Sequence, residues 1–204
     1  PDEPDASNQL VNMGWYANVI AVDPRNPDRL WAGGVDVFRS DDGGRTWGIA
    51  SYWWPGTDEP SYAHADLHAI VFDPRFDDAS NTTMFLGNDG GVFKTTNALA
   101  ATARGISGIC DPRSSSVRWR SLNHGYGVTQ FYQGVVFPDG ESYFGGAQDN
   151  GTVAGSDRRG PDGWFQLFGG DGTYGAIDFT DSRRLYVQFQ WGSLMKTEDG
   201  GKTF

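Results

Sequence analysis

The stretch RSDDGGRTW, residues 39–47, returns near the other end of the chain as KTEDGGKTF, residues 196–204. Both copies follow the pattern S/T-x-D-x-G-x-T-aromatic. Aspartate accepts backbone N–H bonds in tight turns, and glycine adopts backbone angles that other residues avoid. We therefore interpret each copy as a structural turn rather than a catalytic or metal-binding loop. The residues assigned to the two turns are Ser40, Asp42, Gly44, Thr46, Trp47, Thr197, Asp199, Gly201, Thr203 and Phe204.

The sequence around these turns also repeats. Residues 16–47 and 67–97 both run through an alternating strand, an Asp-Pro turn, a second strand ending in glycine, and V-F-[RK]-[ST]. Further copies cover 133–156 and 174–204. In the first copy we predict strands at about 17–22, 29–33 and 35–40, with a fourth beginning near Thr46. A β-sandwich would give no reason for such a repeat, whereas β-propellers are built from repeated four-stranded blades.

We therefore predict an all-β β-propeller with four-stranded antiparallel blades, about four of them visible and forming part of a larger propeller. The predicted division is a lead-in at 1–13 and blades at 14–63, 64–124, 125–168 and 169–204, the last one truncated. An insertion at 97–116 interrupts the second blade where a turn of the 39–47 type should lie. We expect it to be an exposed loop that also contacts the rest of the molecule. Its Cys110 is either a free thiol or half of a bridge to sequence outside this chain.

The composition narrows the classes of function. The chain has 204 residues and a net charge of −10, with no lysine- or arginine-rich run, so binding to nucleic acid is not expected. No apolar run approaches the roughly 20 residues that cross a bilayer, so no membrane span is predicted. The chain does not open on a basic and then apolar leader, and any signal peptide is expected to be absent or already removed.

The repeated turn resembles the Asp-box, or BNR, motif of sialidases, sortilin-type receptors and xyloglucan-cleaving endoglucanases. The longer strings HADLHAIVFDP, GNDGGVFK, FGGAQDNGT and GGDGTYGAID are similar to those of secreted bacterial sortilin-like BNR-repeat proteins. This resemblance covers about residues 14–204. It implies a propeller fold and a secreted or cell-surface location. A sialidase would need an arginine triad and a tyrosine nucleophile, for which no motif is present.

In an up-and-down blade, the turns between the second and third strands share one rim with the links that enter the next blade. On this rim the sequence places Asp36, Asp89 and Asp149. The resemblance to xyloglucan-cleaving enzymes implies catalytic roles for Asp89 and Asp149 as acid and base. The alternative is that both aspartates cap tight glycine turns. The residues predicted for binding are Trp53, Trp54, Gln148, Asn150 and Asp171.

The string H-x-D-x-H carries His64, Asp66 and His68 on the link into the second blade. Alternation along an extended strand would put the three side chains on one side, and two imidazoles with a carboxylate suit Zn²⁺. Strand neighbours two apart are separated by about 6.5 Å, which disfavours a compact site and favours hydrogen bonding between blades. The acidic rim offers oxygen ligands for Ca²⁺, without any recognised calcium-loop spacing. The prediction is no cofactor, with Ca²⁺ or Zn²⁺ as the alternative.

The Pro/Gly-rich link 51–64 carries Trp53 and Trp54 side by side. Two adjacent residues of one strand cannot both point inward, so at least one is expected to face a partner or a neighbouring blade. Two hypotheses of function remain. One is a non-catalytic extracellular scaffold or a module that binds glycans or cell-surface proteins, with further blades or subunits as partners. The other is a glycoside hydrolase that uses paired aspartates.

Overall fold

The computed structural model describes residues 14–125 and 129–204, and the chain forms two compact units, one ending at Asn123 and the other beginning at His124. The predicted lead-in at 1–13 lies outside the described residues. Within the described ranges there are four antiparallel sheets, three with four strands and one with three. This confirms the predicted all-β fold class with propeller-type blades. The exact blade boundaries stay predictions.

Sheet 1 of the first unit runs through four strands in chain order. They are β1 (Val19–Val22), β2 (Leu30–Gly33), β3 (Val37–Ser40) and β4 (Gly48–Ile49). Side-chain alternation decides burial on β2, since Trp31 is inaccessible to solvent and the next residue, Ala32, is only partly buried. The β1–β2 turn is held by Asp23, whose carboxylate accepts the N–H of Arg25 at 2.8 Å.

Sheet 2 repeats this order. Its strands are β5 (Leu67–Phe72), β6 (Met84–Asn88), β7 (Gly91–Thr95) and β8 (Arg120–Ser121). Asp73 closes the β5–β6 turn by accepting the N–H of Arg75 at 2.8 Å, as Asp23 does in sheet 1. The Asp-Pro repeat in the sequence is therefore a repeated turn in the structure.

The core of the first unit lies between these two sheets. Trp31 and Val37 of sheet 1 share one buried cluster with Leu86 and Phe93 of sheet 2. Gly33 permits this close contact, because a Cβ on that residue would lie 2.7 Å from the Cβ of Leu67. Burial of such large apolar side chains is the main contribution to the stability of this unit.

The insertion 97–116 packs on sheet 1. It contains a short helix, α1 (Gly105–Ile109), and a 3-10 turn (Pro112–Ser114). Ala103 exchanges backbone hydrogen bonds of 2.9 and 3.0 Å with Ile49 of β4. Arg39 of β3 donates to the carbonyl oxygens of Ala98 and Ala100 at 2.6 and 2.8 Å.

The prediction of an exposed loop is therefore wrong for part of the insertion, because Ala98 and Ala103 are buried. Small side chains let this segment approach β4, where a Cβ on Gly48 would collide with the side chain of Thr102. The expected contact with the rest of the molecule is present. Cys110 itself is exposed.

The second unit has two sheets. Sheet 3 consists of β9 (Phe131–Val136), β10 (Ser142–Ala147), β11 (Gly151–Ser156) and β12 (Phe165–Phe168). Sheet 4 consists of β13 (Gly175–Ile177), β14 (Leu185–Phe189) and β15 (Ser193–Thr197). Two 3-10 turns, Asp157–Arg159 and Gln190–Gly192, follow β11 and β14.

The core of the second unit joins Phe144 of sheet 3 to Ile177, Leu185 and Val187 of sheet 4. Gly175 makes room for the ring of Phe144, since a Cβ on the glycine would lie 2.4 Å from it. Among the helices in the described ranges, none has the length and apolar character needed to cross a membrane.

Candidate functional site

The repeated turns at 39–47 and 196–204 carry matching hydrogen-bond networks. In the first, Asp42 accepts the N–H of Thr46 at 2.8 Å and its hydroxyl at 2.6 Å. The hydroxyl of Ser40 donates to Asp42 at 2.8 Å and accepts the N–H of Gly44 at 2.9 Å. The bond from the Thr46 hydroxyl, followed by the other donors, lowers the pKa of Asp42 well below its usual range. The carboxylate is thus occupied by its own turn.

The turn at 197–204 uses the same positions. Asp199 accepts the N–H of Thr203 at 3.0 Å and its hydroxyl at 2.7 Å, while the hydroxyl of Thr197 accepts the N–H of Gly201 at 3.0 Å. The Thr203 hydroxyl is again the main cause that lowers the pKa of the aspartate. Both aspartates use their carboxylate oxygens to hold their own turns. The candidate ligand-binding residues are therefore those of the turns that join β2–β3, β6–β7, β10–β11 and β14–β15.

Asp89 lies in the β6–β7 turn of the first unit. Asn88 shapes this turn, because its side-chain oxygen accepts the N–H of Gly90 at 3.1 Å and its amide donates to the carbonyl of His64 at 2.9 Å. The ring of His64 covers Gly90, where a Cβ would lie 2.3 Å from it. The turn is therefore fixed by both the hairpin and the link that precedes β5.

Tyr16 and His68 contact the carboxylate of Asp89. The Tyr16 hydroxyl donates to Oδ2 at 2.9 Å, and Nε2 of His68 lies 2.6 Å from Oδ1. The rings of Tyr16 and His68 meet edge to face, with centroids 4.9 Å apart. Carboxylate oxygens of Asp66 and Asp89 come within 4.8 Å of one another. This arrangement can position a carboxylate for proton transfer or for hydrogen bonding to a polar ligand.

The predicted extended geometry of the H-x-D-x-H string is wrong. Strand β5 begins only at Leu67, and Asp66 adopts a left-handed φ of 61°. Alternation therefore does not carry from His64 to His68, and His68 is directed to Asp89 while Nδ1 of His64 lies 3.2 Å from the carbonyl of Ala65. The use of these residues in metal binding stays a prediction.

Asp36, in the β2–β3 turn, is buried. Its carboxyl accepts the N–H of Trp53 and the hydroxyl of Ser51, yet burial raises its pKa to about 8. Its Oδ1 atom has no hydrogen-bond partner among the described residues. The side chain thus ties the start of the 51–64 link to sheet 1 and is protonated at neutral pH.

This tie places the paired tryptophans at the surface. Trp53 and Trp54 are 44% and 48% exposed, while the preceding Tyr52 is fully buried and donates its hydroxyl to the carbonyl of Gly108 at 2.7 Å. The ring of Trp54 meets Tyr52 edge to face at 6.2 Å. Both tryptophans keep about half their surface in solvent, and their contact with a partner stays a prediction.

In the second unit the β10–β11 turn carries Gln148, Asp149 and Asn150. Asp149 has a left-handed φ of 63°, and its N–H donates to the carboxylate of Asp171 at 3.1 Å. The Asn150 amide donates to the carbonyl of Gln148 at 3.0 Å, and the Tyr132 hydroxyl donates to the side chain of Gln148. The structure therefore brings together the four predicted rim residues of this unit. Asp89 and Asp149 belong to different units, and their pairing as acid and base stays a prediction.

Trp191 is a residue of this rim that the sequence reasoning missed. It lies in the β14–β15 turn with a left-handed φ of 64°, and its side chain is 99% exposed. The neighbouring Gln190 packs over the 169–173 link, since a Cβ on Gly170 would lie 2.6 Å from its Oε1. That link carries Asp171, so the tryptophan continues the rim formed by the β10–β11 turn. The available signal was the string QWG directly after an aromatic strand.

No protein-family model and no curated protein matches this chain. Among solved structures, the GH74 enzyme of Niastella koreensis is 19% identical, with a TM-score of 0.33, over 90% of this chain and 28% of that one. The structure of YCF48 bound to D1 peptide is 13% identical, with a TM-score of 0.30, over 92% of this chain and 81% of that one. YCF48 from Cyanidioschyzon merolae is 13% identical, with a TM-score of 0.29, over 95% and 55%. The chain thus spans 28% of the length of the GH74 enzyme.

Proposed function

We propose that this chain is a non-catalytic, extracellular propeller module that binds neutral glycans on the rim of its second unit. The observation that carries the proposal is Trp191. A bulky residue in the left-handed region costs about 1–2 kcal/mol, and a side chain that is 99% exposed recovers nothing through packing. Glycine or asparagine would fit this turn with less strain. A tryptophan held there is best explained by contact with a ligand.

The polar groups of the same rim fit a sugar. An exposed indole offers a flat apolar face, and the amides of Gln148 and Asn150 with the carboxylate of Asp171 offer donors and acceptors for hydroxyl groups. Sites of this kind combine aromatic surface with a few polar groups that set orientation. The net charge of −10 favours a neutral ligand over an anionic one.

The test is calorimetric titration of the chain with cellohexaose and with a xyloglucan oligosaccharide. The Trp191→Ala variant should lose at least about tenfold in affinity, because exposed tryptophans that anchor ligands contribute more than about 1.4 kcal/mol. Phe179→Ala is the matched control, since Phe179 is 71% exposed but follows β13, on the turn that leads into β14. Equal affinities of Trp191→Ala and the native chain, or no binding to either glycan, would contradict the proposal.

A glycoside hydrolase is the second candidate. The observation that favours it is the carboxylate of Asp89, which accepts from the Tyr16 hydroxyl at 2.9 Å and lies 2.6 Å from Nε2 of His68. Carboxylate pairs about 5–9.5 Å apart cleave glycosidic bonds, with Asp149 as the other candidate partner. Under this hypothesis the native chain releases reducing ends from a β-glucan, and Asp89→Asn abolishes the release without altering the circular dichroism spectrum. An inactive native chain on a panel of glucans would exclude it.

A further inference from the structure

Strand β9 of sheet 3 carries one extra residue where it pairs with β10. Gln133 pairs with Gly146 of β10. The next pair joins Phe131 to Ala147, so Tyr132 stands outside the pairing of the two strands. Such a β-bulge interrupts side-chain alternation and redirects the extra side chain. The bulge lies at the rim end of β9, because Ala147 is the last residue of β10 before the β10–β11 turn.

The two neighbours of Tyr132 fix the backbone of the bulge. Oε1 of Gln133 accepts a backbone N–H of β13 at 3.1 Å. The ring of Phe131 lies over β10, where a Cβ on Gly145 would be 2.8 Å from it. Between these two contacts, the side chain of Tyr132 is directed to the β10–β11 turn, and its hydroxyl donates to Oε1 of Gln148.

The first unit repeats this construction. In sheet 2 the register of β5 on β6 shifts by one residue between Leu67 and Ala69, so His68 is the extra residue of β5. Nε2 of His68 lies 2.6 Å from a carboxylate oxygen of Asp89 in the β6–β7 turn. In both sheets, the bulge of the first strand therefore supplies the group that contacts the turn between the second and third strands.

The strand register also shows which residues of the two turns correspond. Asp89 follows Asn88, which pairs with the residue before the bulge of β5. Gln148 follows Ala147, which has the same place opposite β9. Gln148, and not Asp149, is therefore the counterpart of Asp89. Where the first unit has a carboxylate beside an imidazole, the second has an uncharged amide beside a phenol, which suits the uncharged ligand proposed for this rim.

The bond from Tyr132 decides how the Gln148 amide is oriented. A glutamine amide has one acceptor oxygen and two N–H donors. Because the Tyr132 hydroxyl donates to the oxygen, the Nε2 group is turned away from the phenol, on a side chain that is exposed to solvent. The carboxylate of Asp171, which accepts the backbone N–H next to Gln148 at 3.1 Å, adds an acceptor beside this donor. A sugar hydroxyl can both accept and donate, so it matches the two groups.

Given the proposed glycan-binding function, on which this rests, we propose that Tyr132 is a positioning residue of the rim site. It orients the Gln148 amide so that the N–H groups donate to a hydroxyl or ring oxygen of the sugar. Without the phenol hydroxyl, the amide has to be ordered when the ligand binds. Ordering one side chain of this kind weakens binding by about two- to tenfold.

A double-mutant cycle tests this role by calorimetric titration with cellohexaose. Tyr132→Phe keeps the ring and removes only the hydroxyl, and it should weaken binding by about two- to tenfold. In the Gln148→Ala background the same change should have no effect, because no amide is left to orient. Equal losses in the two backgrounds would overturn the inference, since the hydroxyl would then act independently of Gln148. An unchanged affinity of Tyr132→Phe in the otherwise native chain would overturn it as well.

The side-chain amide of Gln148 gives a second readout, which needs no glycan. Nuclear magnetic relaxation of this amide, identified by its loss in Gln148→Ala, should show an ordered group in the native chain and a mobile one in Tyr132→Phe. Gln133 is the internal control, because its bond to β13 should keep its amide ordered in both proteins. A Gln148 amide with the same order in both proteins overturns the positioning role, whether or not glycans bind. An ordered amide in a native chain that binds no glycan refutes the proposed function instead, and with it the ligand role of the pair.

Discussion

Replacing Asp36 by asparagine removes a buried carboxyl whose pKa is raised to about 8. The folded-state pKa lies above the usual value of 3.8, so the folded state holds a proton that the unfolded chain releases between these values. The stability that depends on this proton is fully present below pH 3.8 and is lost as the pH rises towards 8. The release of one proton changes the free energy of unfolding by about 1.4 kcal/mol per pH unit, and by at most about 6 kcal/mol over the whole interval.

Urea unfolding from pH 5 to pH 8 measures this slope. The free energy of unfolding of the native chain should fall with pH by up to about 1.4 kcal/mol per unit more steeply than that of Asp36→Asn. All other groups are the same in both proteins, so their contribution cancels in the difference. The turn aspartates Asp42 and Asp199 have lowered pKa values and act only at more acidic pH.

Asp58→Asn is the matched control, because Asp58 is an exposed carboxyl of the same 51–64 link. It should leave the slope of the native chain unchanged. Parallel pH profiles of the native chain and Asp36→Asn would refute the reasoning, since they would mean that Asp36 is ionised in the folded state. The asparagine retains an oxygen that can accept from Trp53 and Ser51, so the link keeps its attachment.

Three further outcomes follow from the packing, each measured by urea unfolding. Ser40→Ala should lower the free energy of unfolding by about 1–3 kcal/mol, because Ser40 is fully buried and its hydroxyl donates to Asp42 and accepts from the N–H of Gly44. An unchanged free energy of unfolding would contradict this role of Ser40 in the turn. Gly146→Ala should lower the free energy of unfolding by about 1–3 kcal/mol, since its Cβ would lie 2.1 Å from the backbone oxygen of Thr173. Gly134→Ala, where a Cβ would have nothing within 4 Å, should lower it far less. Similar losses in the two variants would show that the close contact is not responsible. Arg39→Met should lower the free energy of unfolding by about 1.5–3 kcal/mol and speed hydrogen exchange in the 97–103 segment, because the guanidinium donates to two carbonyl oxygens of that segment. Unchanged exchange there would mean that the guanidinium does not hold the segment in place.

Local patterns in the sequence predicted the blades well, because each depends on neighbours along the chain. The Asp-Pro pairs and the S/T-x-D-x-G-x-T turns are closed by bonds spanning only a few residues, such as Asp42 to Thr46. The alternation along β2 is equally local, since Trp31 is buried and the next residue, Ala32, is only partly buried. These features need no knowledge of distant segments.

Features that depend on distant contacts were not predictable in the same way. Asp66 leaves the extended conformation, so the spacing of His64 and His68 in the sequence does not place their side chains on one side of a strand. The burial of Asp36 arises from the 51–64 link folding back over its turn. The exposure of Trp191 depends on the conformation of a three-residue turn, which strand periodicity does not describe.

The insertion 97–116 protects an edge strand of the first unit from pairing with other chains. In sequence it belongs between β7 and β8 of sheet 2, but Ala103 occupies the outer edge of β4 in sheet 1. An uncovered edge strand is a template for intermolecular pairing and fibril growth. During synthesis that edge stays available from the time β4 emerges until residue 103 follows, more than fifty residues later. A chain cut within this interval would therefore be prone to aggregate, and the two sheets should unfold in a single cooperative step.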